Sequence, residues 1–265
     1  MRLELISHLP AGDTAECPLL FVHGAFSGAW IWADHFLPWF AARGVPAHAL
    51  SLRGHGESAG HEGLTGWRLR DYVDDLARTI DRLGRLPVVV GHSMGGMVVQ
   101  KYLERRELPG AVLMASVPPH GLGASSLRML MSEPQLYFQL GVLQAFGAGS
   151  AHLDVILRAM FADPALAEDK RYLLRFAHRE SAAAVADMLG ADPLRIRRDL
   201  ATPISVLGAA EDKLVSSIQL RATASAYAAP LTVFEGMGHA MMLERDWERA
   251  AAAVLDFHHG LRAPV

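Results

Sequence analysis

Apolar residues along the chain follow two alternating rhythms. PLLFVHG (18–24), VPAHALSL (45–52), LPVVVGHS (86–93) and GAVLMAS (110–116) are short, nearly unbroken apolar runs that end in small or polar residues, and they read as buried strands. Longer amphipathic stretches separate them. WRLRDYVDDLARTIDRLG (67–84) sets Leu69, Tyr72, Val73, Leu76, Ile80 and Leu83 at helical spacing, with Gly84 suited to the stop. MGGMVVQKYLERRE (94–107) predicts a second helix. Strand alternating with helix implies parallel strands joined by right-handed crossovers, hence an α/β fold built on a doubly wound, mostly parallel sheet.

The rhythm breaks after Ser116. Residues 117–200 hold no strand-like run, begin with Val117-Pro118-Pro119 and are rich in Ala, Leu, Met and Phe. Within them Asp163-Pro164 predicts an N-cap followed by proline at the first helical position, and Ser181 opens a helix that Gly190 closes. The alternation resumes with TPISVLGAAED (202–212), a helix from about Ser216 to Tyr227, the strand LTVFEG (231–236) and a helix from Asp246 to His258. The expected organisation is a core of 1–116 and 201–265 carrying an all-helical cap inserted at 117–200.

Composition narrows the functions available. The chain has 265 residues, half of them hydrophobic, enough for one large core. A formal net charge of −3 offers no basic face for a phosphate backbone, so nucleic acid is not an expected partner. The single cysteine, Cys17, rules out an internal disulfide or a paired-cysteine metal knuckle and reads as a half-buried small apolar residue. The first residues lack a basic and then apolar leader pattern, and no stretch approaches the ~20 apolar residues of a membrane span. A soluble cytoplasmic protein is expected; oligomeric state is left open.

Chemistry concentrates at Gly91-His92-Ser93-Met94-Gly95, a G-x-S-x-G pattern with a strand before it and a helix after. The pattern alone arises by chance in roughly one chain in ten of this length, so the strand–helix context carries the weight. There the turn must be sharp, and side chains two positions either side of the serine would strike the neighbouring strand and helix. Glycine is therefore needed at 91 and 95, and Ser93 is held out at the tip of a strand as a nucleophile. A serine needs a base, and the base an orienting acid, which should follow in the order Ser, acid, His at later strand exits. Asp212 lies past ISVLG and His239 past LTVFEG. Glu211 competes weakly with Asp212. His258 and His259, at the end of the last helix, are expected in solvent, and His92 is expected to pack on the other face of the turn. The run Arg195 to Asp199 reads as a solvated hinge.

A tetrahedral intermediate needs two fixed N–H donors. Met94 supplies one, and Ala25 in FVHGAFSGAW (21–30) the other, with Gly24 letting the chain turn and His23 bracketing the loop. Phe26 and, from the cap, Tyr137, Phe138 and Phe161 are the candidate substrate contacts. Met129, Met131, Phe146 and Met160 are further apolar cap residues, most of which should pack cap helices together. His239 must be neutral to accept the serine proton, so activity should fall on acidification.

Taken together, HGAF, SLRGHGES (51–58), GHSMGG, the aspartate of GAAEDKLV and the histidine of GMGHAMMLE resemble the α/β-hydrolase superfamily over nearly the whole chain. The resemblance implies the roles just given to Ser93, Asp212, His239, Ala25 and Met94, and requires no cofactor and no metal. Dehalogenases and epoxide hydrolases of the superfamily use an aspartate where Ser93 stands. HGAFSGAWIW (23–32) is similar to the loop of plant methylesterases and hydroxynitrile lyases, but those lyases carry lysine where this chain has Ala240. Carbon–carbon bond hydrolases usually read GNSMGG at the elbow, against His92 here. A carboxylic ester hydrolase acting on a small to medium, largely apolar substrate is expected. A carbon–carbon hydrolase, a thioesterase, a lactonase or a small-molecule receptor is the alternative.

Overall fold

The computed structural model describes residues 1–12, 16–167, 175 and 179–261. Among these, seven strands form one sheet: β1 (Leu5–His8), β2 (Leu19–Val22), β3 (Ala47–Leu50), β4 (Val88–His92), β5 (Ala111–Met114), β6 (Ile204–Ala209) and β7 (Leu231–Phe234). Their order is β1-β3-β2-β4-β5-β6-β7, with every neighbouring pair parallel except β1, which runs antiparallel to β3 with Leu5 opposite Leu50. The six strands expected from the apolar runs are all present. The central strands β2 and β5 are buried at every position and unbroken in hydrophobicity because both faces are covered. Leu19, Phe21, Val88, Val90 and Val112 pack into one layer, while Leu20, Val22, Val89, Ala111 and Leu113 pack into the other.

Strand β1 was not expected. It is four residues long and only partly buried, so LISH carries no continuous apolar run. Its place is set by pairing to β3 and by Glu4 just before it, whose carboxylate accepts from the Ser51 hydroxyl (2.6 Å) and the Glu57 N–H (2.9 Å).

Helix α1 (Leu69–Leu83) buries Leu69, Tyr72, Leu76 and Ile80 and stops at Gly84, whose φ of 68° only glycine adopts cheaply. Its Asp75 is fully buried and holds the loop after β3 by a two-pronged pair with Arg53, at 2.6 and 2.9 Å. Helix α2 (Met94–Leu103) is buried along its whole length and ends four residues short of the expected span, where Arg105 and Arg106 both donate to the Tyr102 carbonyl.

Between β5 and β6 the described residues form helices and no strand: α3 (Gly123–Ser132), α4 (Pro134–Phe146), α5 (Leu153–Met160), a single turn at Pro164–Ala167, and α6 (Ala182–Ala186). Asp163 Oδ1 accepts from the Ala165 N–H (2.8 Å) and caps the turn that Pro164 opens. Ser181 Oγ accepts from Ala184 N–H at the start of α6, and Gly190, at φ 118°, breaks the turn that follows it. Residues 168–174 and 176–178 of the expected insertion lie outside the described residues. The run from Arg195 is largely exposed, with Arg197 paired to Asp199 and Glu107.

The chain closes with α7 (Ser217–Ala226) and α8 (Trp247–Gly260). His258 departs from the expectation of a solvated residue. It is 1% exposed, and its Nε2 bonds the Cys17 carbonyl (2.7 Å) because the segment entering β2 folds over the end of α8. Burial, and then the adjacent His259, keep its pKa below the ordinary histidine value.

Candidate active site

Strand β4 ends in a turn whose sharpness is visible in one residue. Ser93 sits at φ 52°, ψ −116°, a conformation an L-residue adopts only when its surroundings impose it. They do: the Ser93 N–H donates to Met114 O (3.0 Å), and its carbonyl accepts from Gly96, Met97 and Val117. The glycines leave no alternative. A Cβ on Gly91 would lie 2.6 Å from Gly95 O, and one on Gly95 would lie 2.5 Å from both Val22 O and His23 O. Gly96 is crowded as well, by the Ser116 side chain.

The loop after β2 packs directly on this turn. A Cβ on Gly24 would meet His92 Nδ1 at 2.9 Å and Ser93 Cβ at 3.0 Å, so glycine is there for close approach rather than for turning. His23 Nδ1 donates to Gly24 O (2.7 Å) and its Nε2 accepts the Leu52 N–H (3.0 Å). That pattern requires the neutral ring, and burial, together with the nearby His55, lowers its pKa to about 3. Phe26 follows at φ 61°. Among the described residues, neither the Ala25 N–H nor the Met94 N–H has an acceptor. Both residues line the cavity that Ser93 faces.

Asp212 and His239 meet beyond β6 and β7. Asp212 Oδ2 lies 2.7 Å from His239 Nδ1, while its Oδ1 accepts from the Leu214 and Val215 N–H groups (2.7 and 2.9 Å). The carboxylate is thus fixed on both oxygens, and both residues are buried. Glu211 points away: its side chain is exposed and its N–H donates to Met237 O. With Nδ1 committed to the aspartate, Nε2 of His239 is the nitrogen left for a second partner. The Ser93 hydroxyl has no hydrogen-bond partner among the described residues, and it shares the cavity wall with His239.

His92 has more to do than pack on the far face of the turn. Its ring stands 4.7 Å from that of His239, its Nε2 bonds the His239 carbonyl (3.0 Å), and it lines the cavity. Burial and then the neighbouring His239 hold its pKa well below the usual value, so it stays neutral. The loop bearing His239 is also tied to the helical segment. Ala240 N–H donates to Met160 O (2.8 Å), and Glu244 Oε1 accepts from both Gly238 and Ala162 (2.8 and 2.6 Å).

The cavity holds about 360 Å³ and is walled mostly by apolar side chains. Phe26 and Tyr137 line it, as do Met129 and Met160. Phe138 does not. It is 65% exposed, because one step along α4 from Tyr137 turns the side chain about 100° to the outside. Phe161 is buried but lies off the cavity, in a separate cleft with Glu211 and Glu244. Met131 and Phe146 are exposed. Among the described residues no group of three His, Cys, Asp or Glu is arranged to hold a metal ion, and no helix is long and apolar enough to cross a membrane. A hydroxyl, an aspartate-held imidazole and two unengaged N–H groups on one apolar cavity can together support acyl transfer.

Comparison with known proteins agrees with this architecture. A model of the alpha/beta hydrolase family matches residues 19–253. Lipase LipV of Mycobacterium tuberculosis is 32% identical over 120 residues, a stretch covering 44% of this chain and 43% of that lipase. Among solved structures, an esterase from Thermogutta terrifontis superposes with a TM-score of 0.75 at 18% identity, covering 98% of this chain and 94% of that one. A bromoperoxidase from Bacillus anthracis gives 0.69 at 18% identity, covering 96% and 94%. At such identities the likeness is one of fold.

Proposed function

Given that the chain belongs to the alpha/beta hydrolase family, we propose that it is a serine-dependent carboxylic ester hydrolase acting on small to medium, largely apolar substrates. The observation that carries the reading is the 2.7 Å contact of Asp212 with His239 Nδ1, on the wall of the cavity that the strained Ser93 faces. Ser93 Oγ attacks the acyl carbon and its proton passes to His239 Nε2, while Asp212 stabilises the imidazolium. The N–H groups of Ala25 and Met94 receive the oxyanion, each worth roughly 10²–10³ in rate. The alcohol departs with the proton from His239, and water then repeats the sequence on the acyl-enzyme. Residues 117–200 act as a cap that bounds the cavity, which favours short acyl chains or aromatic alcohols over long triglycerides.

Asp212→Asn tests the orienting role. The amide can present its N–H₂ to Nδ1 and trap the wrong tautomer, so kcat should fall by roughly 10³–10⁴-fold while KM changes little. Activity within tenfold of wild type would remove Asp212 from the mechanism. The primary test is a series of p-nitrophenyl esters from acetate to decanoate, with a fluorophosphonate label located on Ser93 by peptide mass spectrometry. Turnover that peaks at short or medium chain length and is blocked by the label supports the reading. Label on Ser93 without ester turnover would redirect it to carbon–carbon, thioester or lactone bonds.

A further inference from the structure

One buried carboxylate stands outside the chemistry described so far. Glu180 belongs to the helical segment yet is 1% exposed, and four donors converge on it from four places in the chain. Oε1 accepts from Tyr72 Oη (2.9 Å) on α1 and from Ser181 N–H (2.7 Å). Oε2 faces His55 Nε2 (3.0 Å) and the Phe26 N–H (3.3 Å). An ionised carboxylate offers about four acceptor positions, and here all are used.

The partner ring is charged. His55 Nε2 meets the Glu180 carboxylate and its Nδ1 meets the Arg53 carbonyl (3.0 Å), both of which only accept, so both ring nitrogens must donate. Burial alone would favour neutral His55, but the charge and hydrogen bond of Glu180 outweigh it and leave its pKa raised. The same contacts leave Glu180 below the usual carboxylate range despite its burial. Around the pair stand neutral His23, whose ring is 5.0 Å from that of His55, and Tyr72, with the Arg53–Asp75 pair behind them.

Glu180 is itself anchored on both sides. Its carbonyl accepts from Gln144 Nε2 (2.6 Å) on α4, and Ser181 Oγ donates to Trp67 O in the core. Its carboxylate reaches the loop after β2 through the N–H of Phe26, the residue held at φ 61° immediately after Ala25. We propose that Glu180, ion-paired with His55, is a positioning residue that fixes the Ala25–Phe26 turn from the cap, so that the oxyanion donor is set only when the cap is docked. This rests on the esterase reading above.

The test compares wild type with Glu180→Gln, which keeps the shape and loses the charge, and Glu180→Asp, which keeps the charge and withdraws it from Phe26. Active sites are titrated with a fluorophosphonate, and kcat is expressed per labelled Ser93. Affinity is then measured for a trifluoromethyl ketone, whose adduct with Ser93 carries an oxyanion, and for a simple alkanol that binds without one. In both variants kcat per site and ketone affinity should fall together by about 10–100-fold, with KM and alkanol affinity within threefold. If ketone affinity and kcat per site stay within twofold of wild type in the variants that fold, Glu180 only stabilises the protein and the proposal is overturned. Should Glu180→Gln not fold, Glu180→Asp decides by the same criterion. A wild type that neither labels nor turns over esters removes the esterase reading itself, and the positioning role with it.

Discussion

Ser93→Ala is expected to lower kcat for the best p-nitrophenyl ester by roughly 10⁴–10⁶-fold, with KM changed far less. The acyl-enzyme route needs a nucleophile, and Ser93 is the residue that follows β4 directly and opens the helix after it. Alanine keeps the same Cβ and the same backbone constraint at φ 52°, and the lost hydroxyl has no hydrogen-bond partner among the described residues. Folding should therefore be untouched, and the variant should melt close to wild type. Weak residual hydrolysis would remain, from the Ala25 and Met94 donors polarising a bound carbonyl. A variant retaining a tenth of wild-type activity would show that some other group attacks the substrate.

Gly95→Ala should act in the opposite way, through the fold. Its Cβ would be placed 2.5 Å from two backbone oxygens at the end of β2, a central strand flanked by β3 and β4. Neither oxygen can retreat without moving the sheet or the loop that carries Ala25. A cost of about 3 kcal/mol is expected, which corresponds to a fall in Tm of roughly 6–12 °C at this size. Loss of soluble protein would be the extreme form. Gly141 provides the contrast: it lies within α4, and a Cβ there meets nothing within 4 Å. Alanine at 141 should raise stability by about 0.5–1 kcal/mol. Equal melting temperatures for the two variants would mean that the elbow yields where the packing says it cannot.

These two cases show what kind of information a sequence carries. The elbow is legible because its constraints are local. Gly91 and Gly95 are forced by atoms a few residues away or on the strand next door, and the residue type itself records the crowding. The central parallel strands β2 and β5 are legible because burial on both faces leaves no polar position to interrupt them. Asp212 and His239 are legible because they stand at strand exits, where the topology collects functional groups.

Other features depend on partners that no spacing reveals. Strand β1 has too few residues and too much exposure to leave a pattern. His258 resembles any polar residue at a helix end until the Cys17 segment, 241 positions away, covers it. Tyr137 and Phe138 are chemically similar neighbours on an apolar helix, and only the packing of α4 decides which faces the cavity. Glu180 looks like a surface glutamate before a helix cap. Its meaning comes from Phe26 and His55, more than a hundred residues upstream.

The backbone at Ser93 also bears on how such a protein would drift under laboratory selection. A residue forced to φ 52°, ψ −116° costs the fold about 1–3 kcal/mol, and glycine would recover part of that, less the ~1 kcal/mol its extra freedom forfeits. A screen rewarding heat resistance alone would therefore favour exchange at the position proposed as the nucleophile. Breeding a hardier version of this protein requires that turnover be scored in every round, because with Ser93 as the proposed nucleophile durability and activity pull in opposite directions at this residue.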